Sequence, residues 1–160
     1  MQESTEKKYI FVLGATDNEM VAIELLLTTL DYPLMHASMG DKRVNSSNAN
    51  AADAVSIPTH LIPVFVECRC KGTYENAVIV DHHQEGDPGF GKPPSQYWEA
   101  SSIGQVATLI GILQNPEMSL YAAADHCLTD AYLGNCPGIS KADMKYFRVS
   151  LASKNQRKPM

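Results

Sequence analysis

The sequence predicts an α/β fold: a doubly wound, mostly parallel sheet of about five strands with helices on both faces. Three observations predict it. Short apolar runs, most of them rich in Val and Ile, recur without an alternating polar face, as strands covered on both sides do. The strongest of these runs stop at an acid or at a glycine turn. Segments with apolar residues at helical spacing are interspersed with the runs.

Taken in order, Tyr9-Ile10-Phe11-Val12-Leu13 is apolar throughout and reads as a central strand. Gly14-Ala15-Thr16-Asp17-Asn18 breaks it, and Thr16 or Asp17 can cap the helix that follows, with Glu19 in the first turn where the helix dipole favours an acid. Met20, Ile23, Leu26, Leu27 and Leu30 give that helix its buried stripe, and Asp31-Tyr32-Pro33 ends it. Residues 34–38 read as a short second strand, 40–48 as a polar loop and 49–54 as a short Ala-rich helix. Residues 59–67 form a third strand, in which Pro63 marks an irregularity. Residues 77–80 form a fourth strand that runs straight into Asp81-His82-His83. The Gly/Pro-rich stretch 84–94 continues neither strand nor helix. Ile103, Val106, Ala107, Ile110 and Leu113 predict a helix ending before Pro116. A further helix covers 118–131 with Leu120, Ala123, Ala124, Cys127, Leu128 and Ala131 inward and Asp125 just off that stripe. Ser140 caps a last helix over 141–152.

The 160 residues, 44% of them apolar, suit one domain over 9–152, with a flexible start over 1–8 and a basic tail over 153–160. The net charge of −5 divides into +5 on residues 141–160 and −10 on residues 1–140, and so acidic a body argues against an extended nucleic-acid surface. No run approaches the length of a membrane helix, and the polar start lacks the apolar core of a signal peptide, so a cytoplasmic protein without membrane contact is expected. Cys68, Cys70, Cys127 and Cys136 contain no CxxC pair. A zinc site on Cys68 and Cys70 with a histidine is disfavoured, because structural zinc uses wider ligand spacing. No GxGxxG fingerprint or Walker lysine is present, which excludes ordinary dinucleotide and P-loop sites.

Parallel strands bring their carboxyl ends to one sheet edge, where ligands bind. Asp17, Glu67 and Asp81-His82-His83 follow strand ends, and Asp125 lies in a later helix. Carboxylate and imidazole together suit a divalent ion, and both can bind phosphate or move protons. Arg43, in the polar loop, is a candidate for gripping a phosphate. The plain alternative is that the histidines only satisfy hydrogen bonds at a strand end.

With these residues in place, the chain resembles the DHH-family phosphoesterases, the superfamily of RecJ-type exonucleases, oligoribonucleases, exopolyphosphatases and manganese pyrophosphatases. The resemblance runs over residues 9–134. It rests on Ala15-Thr16-Asp17, Val64-Phe65-Val66-Glu67, Val80-Asp81-His82-His83, Glu99-Ala100-Ser101-Ser102-Ile103-Gly104 and Ala123-Ala124-Asp125. It implies that Asp17, Glu67, His82 and Asp125 hold metal, with Asp130 a weaker alternative to Asp125. It also implies that His83 meets substrate phosphate, that Asp81 orients its neighbours, and that Ser101 and Ser102 lie near the phosphate. Phe11 and Ala15 stand where the family has a histidine and its first aspartate, so one Mn²⁺ or Mg²⁺ is expected rather than two. About twenty residues follow Ser140, too few for the second domain usual in this family. Two functions stay open. One is a metal-dependent phosphoesterase of weakened activity on a phosphate ester, nucleotide or short oligonucleotide. The other is a non-catalytic module of the same fold that binds a nucleotide or a protein partner. A homodimer is compatible with either.

Overall fold

The structure, a computed structural model, describes residues 7–156, with side chains through Ser153. Most of the expected flexible start and part of the expected basic tail lie outside the described residues. The chain forms two compact units that meet in sequence between Asp81 and His82.

The first unit is built on a four-stranded, wholly parallel sheet. Its strands are β1 (Tyr9–Leu13), β2 (Leu34–His36), β5 (Ile62–Val66) and β6 (Val78–Val80), in the order β2-β1-β5-β6. The chain starts in the middle, steps outward to β2 through α1 (Asn18–Thr29), then returns to the other side of β1. That reversal makes the sheet doubly wound, with its switch point between β1 and β5. Among the described residues this sheet has one strand fewer than the five expected. After β2 the chain forms a small antiparallel hairpin, β3 (Ser38–Met39) with β4 (Lys42–Arg43), which turns at Gly40 with φ of +64°.

Register explains the apolar runs. Phe11 lies opposite Val64 and Leu13 opposite Val66 on one face of the sheet, and all four are fully buried. On the other face, Met35, Val12, Phe65 and Ile79 form one row across the four strands. This row packs with Ala37, Val44, Ala49, Ala52 and Cys68 in a single cluster. Both faces are covered, so no alternating polar face survives in the sequence. Pro63 fits an interior strand because its neighbour Ile62 donates its N–H toward β1, to the Lys8 carbonyl. The nitrogen of Pro63 therefore faces the β6 side, where pairing begins only at Val64 opposite Val78, and no ladder bond is lost.

Asp17 caps α1, accepting a hydrogen bond from the Met20 N–H at 2.8 Å, and Met20, Ile23 and Leu27 are its buried stripe. The helix expected over 49–54 is a single 3₁₀ turn at Ala49–Ala51. Ala52 is already extended and bridges Cys70 as a parallel partner, which stops the turn from propagating.

The second unit is helical. A 3₁₀ turn at Pro94–Gln96 leads into α2 (Tyr97–Ala100), followed by α3 (Ser102–Leu109), α4 (Pro116–Tyr132) and α5 (Lys141–Gln156). α2, α3 and α5 all pack on α4. α3 stops short of the expected Leu113 because Gly111 takes φ of +78° after the Ile110 cap. α2 and α3 meet at a corner that requires a glycine: a Cβ on Gly104 would stand 1.8 Å from the Trp98 carbonyl oxygen. α4 is interrupted at Cys127, whose φ of −150° and ψ of 57° are not helical. α5 is capped by Ser140, as expected, and runs to Gln156, past its expected end at residue 152. Among the described residues, no helix is long and apolar enough to cross a membrane.

Candidate functional site

In the first unit Asp17 and Glu67 follow the ends of β1 and β5, the two strands that flank the switch point. β1 and β5 end side by side: Gly14 N–H donates to the Val66 carbonyl at 2.9 Å, and a Cβ on Gly14 would stand 2.4 Å from the Glu67 carbonyl oxygen. Only glycine lets the two strand ends approach so closely. Glu67 itself takes φ of +55°, a left-handed conformation that a side chain disfavours and that concentrates at functional sites. Asp17 opens α1 from the neighbouring turn. Arg43 closes the same corner, donating from Nε to the Gly14 carbonyl at 3.0 Å, with Nη1 3.8 Å from Glu24. Burial holds its guanidinium below the usual arginine range, partly offset by Glu24. Asp17, Arg43, Ala15, Thr16, Asn45 and Ser46 line a cleft of about 450 Å³.

Phe11 is fully buried in the middle of β1, edge-to-face with Tyr32 at 5.6 Å, so its position belongs to the core and not to the cleft. Asp81, 3% exposed, meets Arg69 Nη1 at 3.3 Å. Arg69 lies outside every motif read from the sequence. Cys68 is a core residue whose thiol reaches the Val12 carbonyl at 3.3 Å. The Cys70 thiol and then burial push the Cys68 thiol up.

In the second unit, ligand atoms of His82, His83 and Asp125 lie within 4.8 Å of one another. The His82 ring is only 5% exposed, and its Nε2 lies 2.9 Å from Asp125 Oδ2. Its Nδ1 lies 3.1 Å from Nδ1 of His126, a residue the sequence reading passed over. His126 Nε2 in turn donates to the Lys92 carbonyl at 2.9 Å. The loop 84–94 is built around these rings. Asp87, 7% exposed, accepts the backbone N–H groups of His83 and Gln84 on one oxygen, at 3.0 and 2.9 Å, and so fixes the backbone that carries His83. Gly89 presses against His82: a Cβ there would stand 2.8 Å from the His82 Cβ and 2.0 Å from the Ala100 carbonyl oxygen.

Ser101 and Ser102 are both fully buried. Ser101 Oγ accepts from Gly104 N–H and donates to the Trp98 carbonyl, so it serves as a helix cap. Ser102 Oγ has no hydrogen-bond partner among the described residues. Asp130, the weaker candidate for the last acid, bonds Asn135 at the end of α4. The signal that would have found His126 is its place beside Asp125, an acid and an imidazole together in an alanine-rich helix. No family model, curated protein or solved structure matches the chain.

Proposed function

We propose that the protein is a metal-dependent phosphoesterase-like protein of low turnover, acting on a phosphate ester, nucleotide or short oligonucleotide. One observation carries the reading: His82, His83 and Asp125, chosen from the sequence for this chemistry, converge within 4.8 Å on a loop and a helix. Imidazole and carboxylate donors without thiolate fit Mn²⁺ or Mg²⁺ assisted by nitrogen. The resemblance adds Asp17 and Glu67 as further carboxylate ligands. A bound ion of this class supplies Lewis-acid polarisation of the phosphoryl group and a more acidic water. His83 would hydrogen-bond a phosphate oxygen, a role supported by the bond from its backbone N–H to Asp87. Arg43 is the cation for a phosphate in the cleft beside Asp17.

The test is hydrolysis of a generic phosphodiester and of short oligonucleotides with Mn²⁺, beside equilibrium binding of mononucleotides. Slow turnover that is lost in His82→Ala is expected. Absence of turnover and of nucleotide binding overturns the reading. The non-catalytic alternative is favoured by one observation, the burial of Phe11 in the core, which removes a family ligand position altogether. Nucleotide binding without turnover is the result that selects it.

A further inference from the structure

His126 stands in no motif read from the sequence, yet it completes a pair of imidazoles whose proton positions are dictated by their neighbours. His126 Nε2 faces the carbonyl oxygen of Lys92 at 2.9 Å. A carbonyl only accepts, so Nε2 carries the proton. His82 Nε2 faces Asp125 Oδ2 at 2.9 Å, and an ionised carboxylate also only accepts, so this Nε2 carries its proton too. A neutral imidazole has one N–H. When both rings are neutral, each Nδ1 then turns a lone pair toward the other across 3.1 Å. Two facing lone pairs at that distance repel unless a cation lies between them, either a proton carried by one ring, with Asp125 as counter-ion to His82, or a metal ion.

We propose that this cation is a divalent ion of the borderline class, Zn²⁺ or Co²⁺, chelated by Nδ1 of His82 and Nδ1 of His126. Two nitrogens bound at ~2.0–2.1 Å to one tetrahedral ion lie roughly 3.3–3.4 Å apart, close to the separation found here. Metal-bound histidines characteristically donate their other N–H to a carboxylate or a backbone carbonyl, which fixes tautomer and ring orientation. His82 has the first kind of partner and His126 the second. The His82 side chain is 5% exposed, a setting in which ring orientation is held by packing. Imidazole pairs select Zn²⁺-class ions over Mg²⁺. The inference rests on the proposed function only in placing a metal at His82. It adds His126 as ligand, assigns Asp125 to orienting His82, and changes the class of ion.

The experiment is calorimetric titration of the apo-protein with Zn²⁺ and with Mn²⁺, repeated on His126→Gln and Asp125→Asn. Co²⁺ absorption and ring-nitrogen NMR of the unsubstituted protein accompany it. Zn²⁺ is expected to bind more tightly than Mn²⁺. His126→Gln should weaken Zn²⁺ by more than the roughly 10–100-fold that loss of an orienting partner costs, and Asp125→Asn by about that 10–100-fold. Co²⁺ should give a tetrahedral spectrum free of sulfur charge-transfer bands, and Zn²⁺ should shift the Nδ1 resonances of both histidines. Equal Zn²⁺ affinity in His126→Gln and the parent overturns the inference. So do sulfur charge-transfer bands, which put the ion on thiols, or Nδ1 signals that show a shared proton and ignore Zn²⁺. Loss of binding in Asp125→Asn with His126→Gln unaffected also overturns it, while leaving a metal on the Nε2 side of His82 and the proposed function intact. Binding as expected without any phosphate-ester binding or turnover removes the proposed function and leaves the two-histidine site standing.

Discussion

Glu67 holds φ at +55° where the end of β5 meets the turn after β1, and it carries that conformation with a full side chain. Left-handed backbone costs a non-glycine residue about 1–2 kcal/mol. Glu67→Gly is therefore expected to match or exceed the parent in denaturant stability. Glu67→Val, β-branched, should lose on the order of 1–2 kcal/mol in the same unfolding titration. At Gly14 the constraint is space, since a Cβ would meet the Glu67 carbonyl at 2.4 Å. Gly14→Ala should cost ~1–3 kcal/mol, as overpacking does, and should splay the two strand ends that carry Asp17 and Glu67. Phe11 bears on any attempt to restore the family's missing ligands. From the sequence, Phe11→His with Ala15→Asp looks like a route to higher activity. The structure puts the Phe11 ring in the core, so Phe11→His is expected to destabilise by on the order of 3 kcal/mol, read as a lower melting temperature, before any ligand is gained. Asp17 and His82 were legible because helix caps and strand ends leave local signatures. Arg69, Asp87 and Gly89 were not, because each acts on a partner reached only through a turn or across the fold.

Among the elements, α4 carries two residues of the candidate site. It presents Asp125 and His126 to the two nitrogens of one ring and then breaks at Cys127. A stripe counted at uniform 3.6-residue spacing ran through that break. It put Leu120, Ala123, Ala124, Cys127, Leu128 and Ala131 inward; Ala123 and Ala131 are buried, together with Ser119 and Ala122, and the other four are not. At the break the Cys127 sulfur lies 3.0 Å from that of Cys136, which follows the end of the helix. Two thiols at that distance need little movement to bond. Treatment with oxidised glutathione is expected to join them. Each thiol gives up its hydrogen, a sulfur–sulfur bond forms, and two molecules of reduced glutathione leave. The check is a count of free thiols falling from four to two, with Cys136→Ser blocking the change; four thiols remaining after treatment would refute it. The hairpin β3–β4 and the corner between α2 and α3 were illegible for a different reason. Two-residue strands and four-residue helices are too short to show a period.

For the molecule as a whole, the α/β class and the parallel sheet were readable because burial on both faces leaves unbroken apolar runs, and β1, β5 and β6 fall within theirs. The division after Asp81 was not readable, since it falls inside Asp81-His82-His83 and no linker composition marks it. Global stability should respond to alkali. Tyr97 is 3% exposed and donates its hydroxyl proton to the Pro137 carbonyl, and burial raises its phenol above the usual value near 10. A raised folded value means the contribution is complete below the unfolded value and is lost as pH climbs toward the folded one. The melting temperature is thus expected to fall above about pH 10, and to fall less steeply in Tyr97→Phe. The strand order carries one more consequence. β1 pairs with β5, so Tyr9 must find Ile62 more than fifty residues further along the chain. On a ribosome, β1, α1 and β2 emerge long before β5, the central partner of β1, exists. Refolding should be limited by that long-range closure, in the slower range typical of non-local sheet pairing, and not by helix formation.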